Sequence, residues 1–244
     1  MAYHQVEVGD AVAAAVTISS LNLHCGLSGR GQPFDVPAAL GRLCADIIAV
    51  QETWRTADGA DGVAAAARAL DAQLIRADVS TGASLAELGI APQPDRGDWG
   101  IAVLTTLPVT GYETVDLGRA PGDPHSRAAL ICSVTAPGGW PLRLVNTHLT
   151  HRFTSPAQLL RLARHLGRQP VPTVIVGDLN MPRLATWVAA GYAPTVRGRT
   201  YPADSPLIQL DHLLTSPQLT SIDAAVLAPL GSDHLPIRAR LRPA

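Results

Sequence analysis

The chain has 244 residues, 47% of them hydrophobic and 16% charged, with a formal net charge of −1. That length supports a core that needs neither disulfides nor a structural metal, and the charge balance excludes a large basic face for tight nonspecific nucleic-acid binding. All nineteen basic residues are Arg. Schiff-base chemistry and lysine phosphate clamps are therefore excluded, and any phosphate contact falls to guanidinium groups.

In chain order, the N-terminal MAYHQVEVGDAVAAAVTIS has no basic segment ahead of its short apolar run, so neither a signal peptide nor a membrane span is expected. Thr17 to Leu21 predicts a strand reaching Asn22. Residues 35–45 predict a helix with Asp35 as N-cap and Pro37 in its first turn. Ile47 to Val50 predicts a buried strand ending at Gln51-Glu52. Gly62 to Ala72 is Ala-rich and helical, and Leu74 to Val79 is a strand. Residues 80–97, with Gly, Ser and two prolines, predict a surface loop. Ile101 to Thr105 and Tyr112 to Leu117 are strands, and Ala128 to Thr135 with Leu142 to His148 flank APGGW as an antiparallel hairpin. Ser155-Pro156 caps a helix to about Arg168. A strand at VIV, a short helix near 184–190, and strands near 211–215, 222–227 and 237–241 complete the chain. Hairpins mixed with helix-joined strands, without repeat or linker, predict one α/β domain with mixed sheets. Cys25, Cys44 and Cys132 are an odd set without CxxC spacing and read as reduced thiols of a cytoplasmic protein.

A polar pattern recurs at the strand ends. Taken alone, Gly177-Asp178-Leu179-Asn180 is also an ordinary turn. But Asn22, Glu52, His148, Asp178, Asp211 and Asp233-His234 each sit at the edge of a separate apolar run. Six such endings predict convergence at one mouth. Carboxylates and carboxamides suit Mg²⁺ or Mn²⁺, and His with Asp suits proton handling.

Asn22 in SLNLHCG, Gln51-Glu52-Thr53, Asn146-Thr147-His148-Leu149, Gly177-Asp178-Leu179-Asn180, Leu210-Asp211-His212 and Ser232-Asp233-His234-Leu235-Pro236 resemble, in order, the motif series of the endonuclease/exonuclease/phosphatase superfamily. The resemblance runs from about residue 17 to 241. It implies a four-layer α/β/β/α sandwich of two packed mixed sheets, deoxyribonuclease I-like, and Mg²⁺- or Mn²⁺-dependent hydrolysis of a phosphate ester. By position, Glu52 matches the main metal carboxylate, Asn22 its companion and Asp233 a possible second ligand. Asp178 matches the group that orients or deprotonates water, with Asn180 holding its neighbourhood and a phosphate oxygen. His234, oriented by Asp211, would contact phosphate, as would Arg127. His148 would bind phosphate or protonate the leaving group. His24 stands where abasic-site endonucleases often carry an acid; an imidazole there would lower the site's negative charge and meet substrate. Arg152 lies near the motifs and is a further candidate for a substrate phosphate. Trp99 is expected to shield the core or rim.

The expected protein is a monomeric cytoplasmic enzyme without stable membrane association, most in keeping with a phosphodiesterase or nuclease. The alternatives are a phosphomonoesterase acting on a small molecule or lipid headgroup, or a non-catalytic phosphate-binding module.

Overall fold

Strand alternation, with one face inward and the other toward helices, organises the chain. The computed structural model describes residues 15–92, 95–123, 125–151, 153–167 and 170–244; the candidate Arg152 lies outside them. The strands are β1 (Val16–Asn22), β2 (Ile47–Thr56), β3 (Gln73–Ser84), β4 (Arg96–Thr105), β5 (Val109–Gly118), β6 (Arg127–Thr135), β7 (Pro141–Thr147), β8 (Thr173–Asp178), β9 (Ala193–Pro194), β10 (Asp211–Thr215), β11 (Leu219–Val226) and β12 (Ile237–Pro243). The helices are α1 (Val36–Gly41), α2 (Gly62–Ala69) and α3 (Ser155–Leu166), with 3-10 turns at His24–Gly26 and Arg183–Val188.

Two six-stranded sheets form, ordered β11-β12-β1-β2-β4-β3 and β5-β6-β7-β8-β10-β9. β1 with β2 and β7 with β8 are parallel, whereas the other pairs are antiparallel, so both sheets are mixed. Ile18, Ile47, Ala49, Leu142, Leu144, Val174 and Val176 pack between the sheets. Their chain neighbours face outward: Ile48 and Val50 meet α1 and α2, and Val145 and Ile175 meet α3. Three apolar clusters thus separate four layers, as the resemblance implies.

A buried polar link crosses the inter-sheet core beneath the strand ends. Gln51 Nε2 donates to Ser20 Oγ at 3.1 Å and to Asn146 Oδ1 at 2.7 Å. Asn146 Nδ2 donates to the Val50 and Ala102 carbonyls at 2.9 and 2.8 Å. Every polar atom of the Asn146 amide is therefore used, which is what makes its burial tolerable.

Several boundaries differ from expectation. β3 runs on to Ser84 and β4 starts at Arg96, joined by Ala83↔Gly97 and Ser84↔Arg96, so only the middle of 80–97 is loop. Backbone pairing holds this polar ribbon together, and no apolar alternation marks it. β2 continues past Glu52 to Thr56 through a bulge. α1 and α2 stop at Gly41 and Ala69, earlier than expected. Thr154, not Ser155, is the N-cap of α3, and Ser155 Oγ instead donates to the Asn180 carbonyl at 3.2 Å. All three cysteines are free, and no helix among the described residues is long and apolar enough to cross a membrane.

Candidate active site

The parallel pairs deliver their C-terminal ends to one edge of the sandwich. Asn22 closes β1 and Asp178 closes β8, while Asp211 opens the antiparallel β10 directly opposite Asp178. Glu52 arrives differently. Between Val50↔Ala102 and Thr53↔Gly100, β2 spends two residues against one of β4. This bulge holds Glu52 at φ 49° and turns its carboxylate into the mouth. His24 (φ 45°) and Asn180 (φ 50°) are also left-handed. Unfavourable backbone at three non-glycine positions of one site is the usual signature of a functional constraint. Gly177 permits the last approach: a Cβ there would lie 2.1 Å from the Thr147 carbonyl oxygen, and its φ is +137°.

The cleft so formed has a volume of about 620 Å³. Asn22 Nδ2 bridges Glu52 Oε1 at 3.0 Å and Asp178 Oδ2 at 3.1 Å, and its Oδ1 accepts from His24 N at 2.9 Å. Asp178 Oδ1 accepts from Asn180 N at 2.9 Å, and Asn180 Nδ2 donates to the Leu149 carbonyl at 2.9 Å. His234 sits between two carboxylates, its Nδ1 bonded to Asp211 Oδ2 at 2.8 Å and its Nε2 3.7 Å from Asp178 Oδ2. The Tyr201 ring covers it at 4.8 Å between centroids. Thr200 Oγ1 accepts from the backbone N–H groups of Leu210 and Asp211, which fixes the start of β10.

Charge states follow from burial and neighbours. Burial alone would drive the His234 ring neutral, but Asp211 and then Asp178 reverse this and raise it to about 10. Asp178 is pushed up to about 7 because burial outweighs the attraction of the His234 cation. His148 lies well below its ordinary value, first through burial and then through the Arg127 charge. Arg127 presents an N–H to His148 Nδ1 at 3.3 Å. Because guanidinium nitrogens only donate, this contact assigns the ring proton to Nε2, which lies 3.7 Å from both Glu52 and Asp178. The amide nitrogen of Asn180, 3.1 Å from that Nε2, is then a neighbour rather than a donor.

Glu52 Oε2 is buried without a hydrogen-bond partner. An unpaired carboxylate oxygen is costly in protein but welcome to a hard divalent ion, so Glu52 fits the expected metal, whereas Asn22 turns its Nδ2 to both carboxylates and its Oδ1 to His24 N. Asp178, Asp211 and His234 offer a second geometric possibility, with ligand atoms within 4.8 Å of one another. The Asp211–His234 hydrogen bond and the cationic ring oppose that use. Asp233 and His24 face each other at 3.7 Å on the cleft wall, and Ser232 Oγ donates to the Asn22 carbonyl at 2.6 Å.

Sequence reasoning missed Asp123. Its fully buried side chain accepts from Arg127 Nε at 2.9 Å. The spacing of four residues from a candidate phosphate arginine was the available signal. Tyr201, which also lines the cleft, carried no signal. Trp99 is buried against Arg127 (5.2 Å), His148 (5.6 Å) and His125 (5.7 Å), in the shielding place expected of it.

A model described as the Endonuclease/Exonuclease/phosphatase family matches residues 19–234. No curated protein matches the chain. Among solved structures, the endonuclease/exonuclease/phosphatase from Beutenbergia cavernae is similar with a TM-score of 0.77 at 20% identity, covering 95% of this chain and 72% of that one. The human Nocturnin catalytic domain with a bound sulfate anion gives 0.72 at 16%, covering 95% and 94%. The mannosyl-6-phosphatase of Bacteroides thetaiotaomicron gives 0.69 at 17%, covering 93% and 99%. At such identities the likeness is one of fold.

Proposed function

Because the chain belongs to the endonuclease/exonuclease/phosphatase family, we propose that it hydrolyses phosphate esters with a divalent metal, Mg²⁺ or Mn²⁺, and that its substrate is a diester. The observation that carries this reading is the placement of Asp178, a buried carboxylate held by Asn22 Nδ2 and Asn180 N with His234 Nε2 3.7 Å away, where burial pushes it up to about 7. A group near neutrality both accepts a proton readily and is often ionised at working pH.

In this reading Asp178 orients and deprotonates the attacking water. His234, cationic through Asp211, donates from Nε2 to a phosphate oxygen. His148 Nε2–H stands on the same floor and donates to a second oxygen or to the departing alkoxide. Asn180 fixes Asp178 through its backbone N–H. Arg127 sets the His148 tautomer and contributes positive charge at the wall. A metal held by Glu52, with Asn22 through its Oδ1 and Asp233 as further candidates, would supply charge neutralisation and activation of the phosphoryl group. The segment from about 17 to 241 would act as one catalytic domain, and the free thiols support a reducing compartment, the cytoplasm.

Among the described residues that line the cleft, only Arg127 carries a permanent positive charge, and Asp123 already neutralises it. That balance suits a monoanionic diester better than a dianionic monoester. The fold-level likeness to a mannosyl-6-phosphatase keeps the monoester in the test. Hydrolysis of bis-p-nitrophenyl phosphate and of p-nitrophenyl phosphate, each with Mg²⁺ and with EDTA, decides the matter. The reading expects the diester to turn over faster and EDTA to stop it. Full activity in EDTA, or a strong preference for the monoester, overturns it.

A further inference from the structure

One hollow adjoins the cleft, and a groove adjoins that hollow. The turn after β5, residues 119–123, lines the hollow and shares Asp123 with the cleft. Arg119 of that turn also lines a groove of about 450 Å³ with Thr154, Arg161 and Arg164. On the other side His151 lines the cleft and Thr154 the groove. Phe153, the chain neighbour of Thr154, is wholly exposed.

Among the described residues, the groove is lined by no Asp or Glu. Arg119, Arg161 and Arg164 are all exposed. Arg161 donates to the Leu117 carbonyl at 3.0 Å, a contact that leaves its charge uncompensated. The acid on the way to the cleft, Asp123, is buried and paired with Arg127, so it does not repel an anion passing over it.

We propose that this groove, with Phe153, is a second binding site that holds the flank of a single-stranded nucleic acid whose scissile phosphate lies in the cleft. The proposal rests on the diesterase reading of the cleft. Three permanent cations without acids suit successive phosphates. An exposed aromatic beside a cationic groove is how single strands are held, by stacking an unpaired base regardless of its identity. A duplex offers no free base to Phe153. A bilayer is flat and cannot enter a concave groove.

The test measures binding and turnover separately. Anisotropy of a fluorescein-labelled oligothymidine in EDTA, over a salt series, reads the groove. Hydrolysis of bis-p-nitrophenyl phosphate with Mg²⁺ reads the cleft. For R119Q/R164Q the expected result is about tenfold weaker binding and a log–log salt slope smaller by about 1.4, roughly 0.7 per phosphate contact on a single strand. For F153A it is about fivefold or greater weakening with the slope unchanged. Small-diester turnover should stay near wild type in both. Failure of the wild type to bind the oligonucleotide overturns the proposal, as does wild-type binding by both variants. Preferential, arginine-dependent binding to phosphatidylserine vesicles also overturns it. Normal oligonucleotide binding without small-diester turnover would leave the groove standing and remove the catalytic reading of the cleft.

Discussion

Asp211→Asn tests the proton arrangement of the site most sharply. The substitution keeps the shape of a side chain bonded to His234 Nδ1 at 2.8 Å but removes its charge. The rise of His234 to about 10 has Asp211 as its leading favourable contributor, working against burial. Relative to the ordinary value of about 6.5, this is a preference for the charged ring on the order of 4–5 kcal/mol, at about 1.4 kcal/mol per pH unit. In the variant only Asp178 at 3.7 Å and the more distant Asp233 still favour the cation, so the pKa falls and much of the ring is neutral at working pH. In the wild type the cation persists below about 10 and is lost as pH rises through that value. In the variant the same loss occurs at lower pH, which moves the alkaline limb of the pH–rate profile downward. The activity lost at neutral pH should be roughly two to three orders of magnitude, the scale of one electrostatic or acid–base contributor. A pH–rate profile and a Mg²⁺ titration of both proteins are the assay. Rescue of the variant by excess Mg²⁺ would show that Asp211 joins Asp178 and His234 as a ligand, and the proton argument would fail.

Other substitutions probe the remaining parts. Glu52→Gln should nearly abolish turnover and weaken Mg²⁺ binding. Its melting temperature in EDTA should equal or exceed that of wild type, because a buried oxygen without a partner is no longer charged; a large drop would mean that the carboxylate is structural. Asp178, raised in the fold from 3.8 to about 7, contributes stability that is complete below about 4 and is lost as pH rises through 7. Asp178→Asn should therefore flatten the decline of melting temperature between mildly acidic and mildly alkaline EDTA buffers, and an unchanged decline would contradict the shift. Gly177→Ala places a methyl against the Thr147 carbonyl oxygen and should cost about 3 kcal/mol or more in urea unfolding; a neutral result would mean that the parallel strands can separate locally.

Strand ends were the legible part of this chain. Val174-Ile175-Val176 before Asp178 and Ile47 to Val50 before Glu52 announce buried strands and their polar exits, because burial on both faces demands an apolar run. Glu52 was legible as a site residue, but the route to it was not. A bulge is a matter of backbone register, and no residue type at Gln51-Glu52 encodes it. The ribbon beyond Val79 was read as loop because exposed paired strands need no hydrophobic pattern. Asp123 escaped notice because it lies in a turn rich in Gly and Pro, where an acid is unremarkable until the fold places it under Arg127.

The Gln51–Asn146 link bears on how stability and activity separate in this protein. The candidate site is divided between two sheets, with Asn22 and Glu52 on one and Asp178, Asn180 and Asp211 on the other. Apolar contact alone would let those sheets slide, since dispersion and burial have little directional preference. A hydrogen bond of 2.7 Å between interior carboxamides does not tolerate sliding. It works as a dowel, fixing the alignment of the two halves of the candidate site. Replacing both Gln51 and Asn146 with leucine also strips a partner from Ser20 Oγ and from the Val50 and Ala102 carbonyls, so the variant should melt earlier and, in the fraction still folded, turn over poorly, its machinery complete but out of alignment.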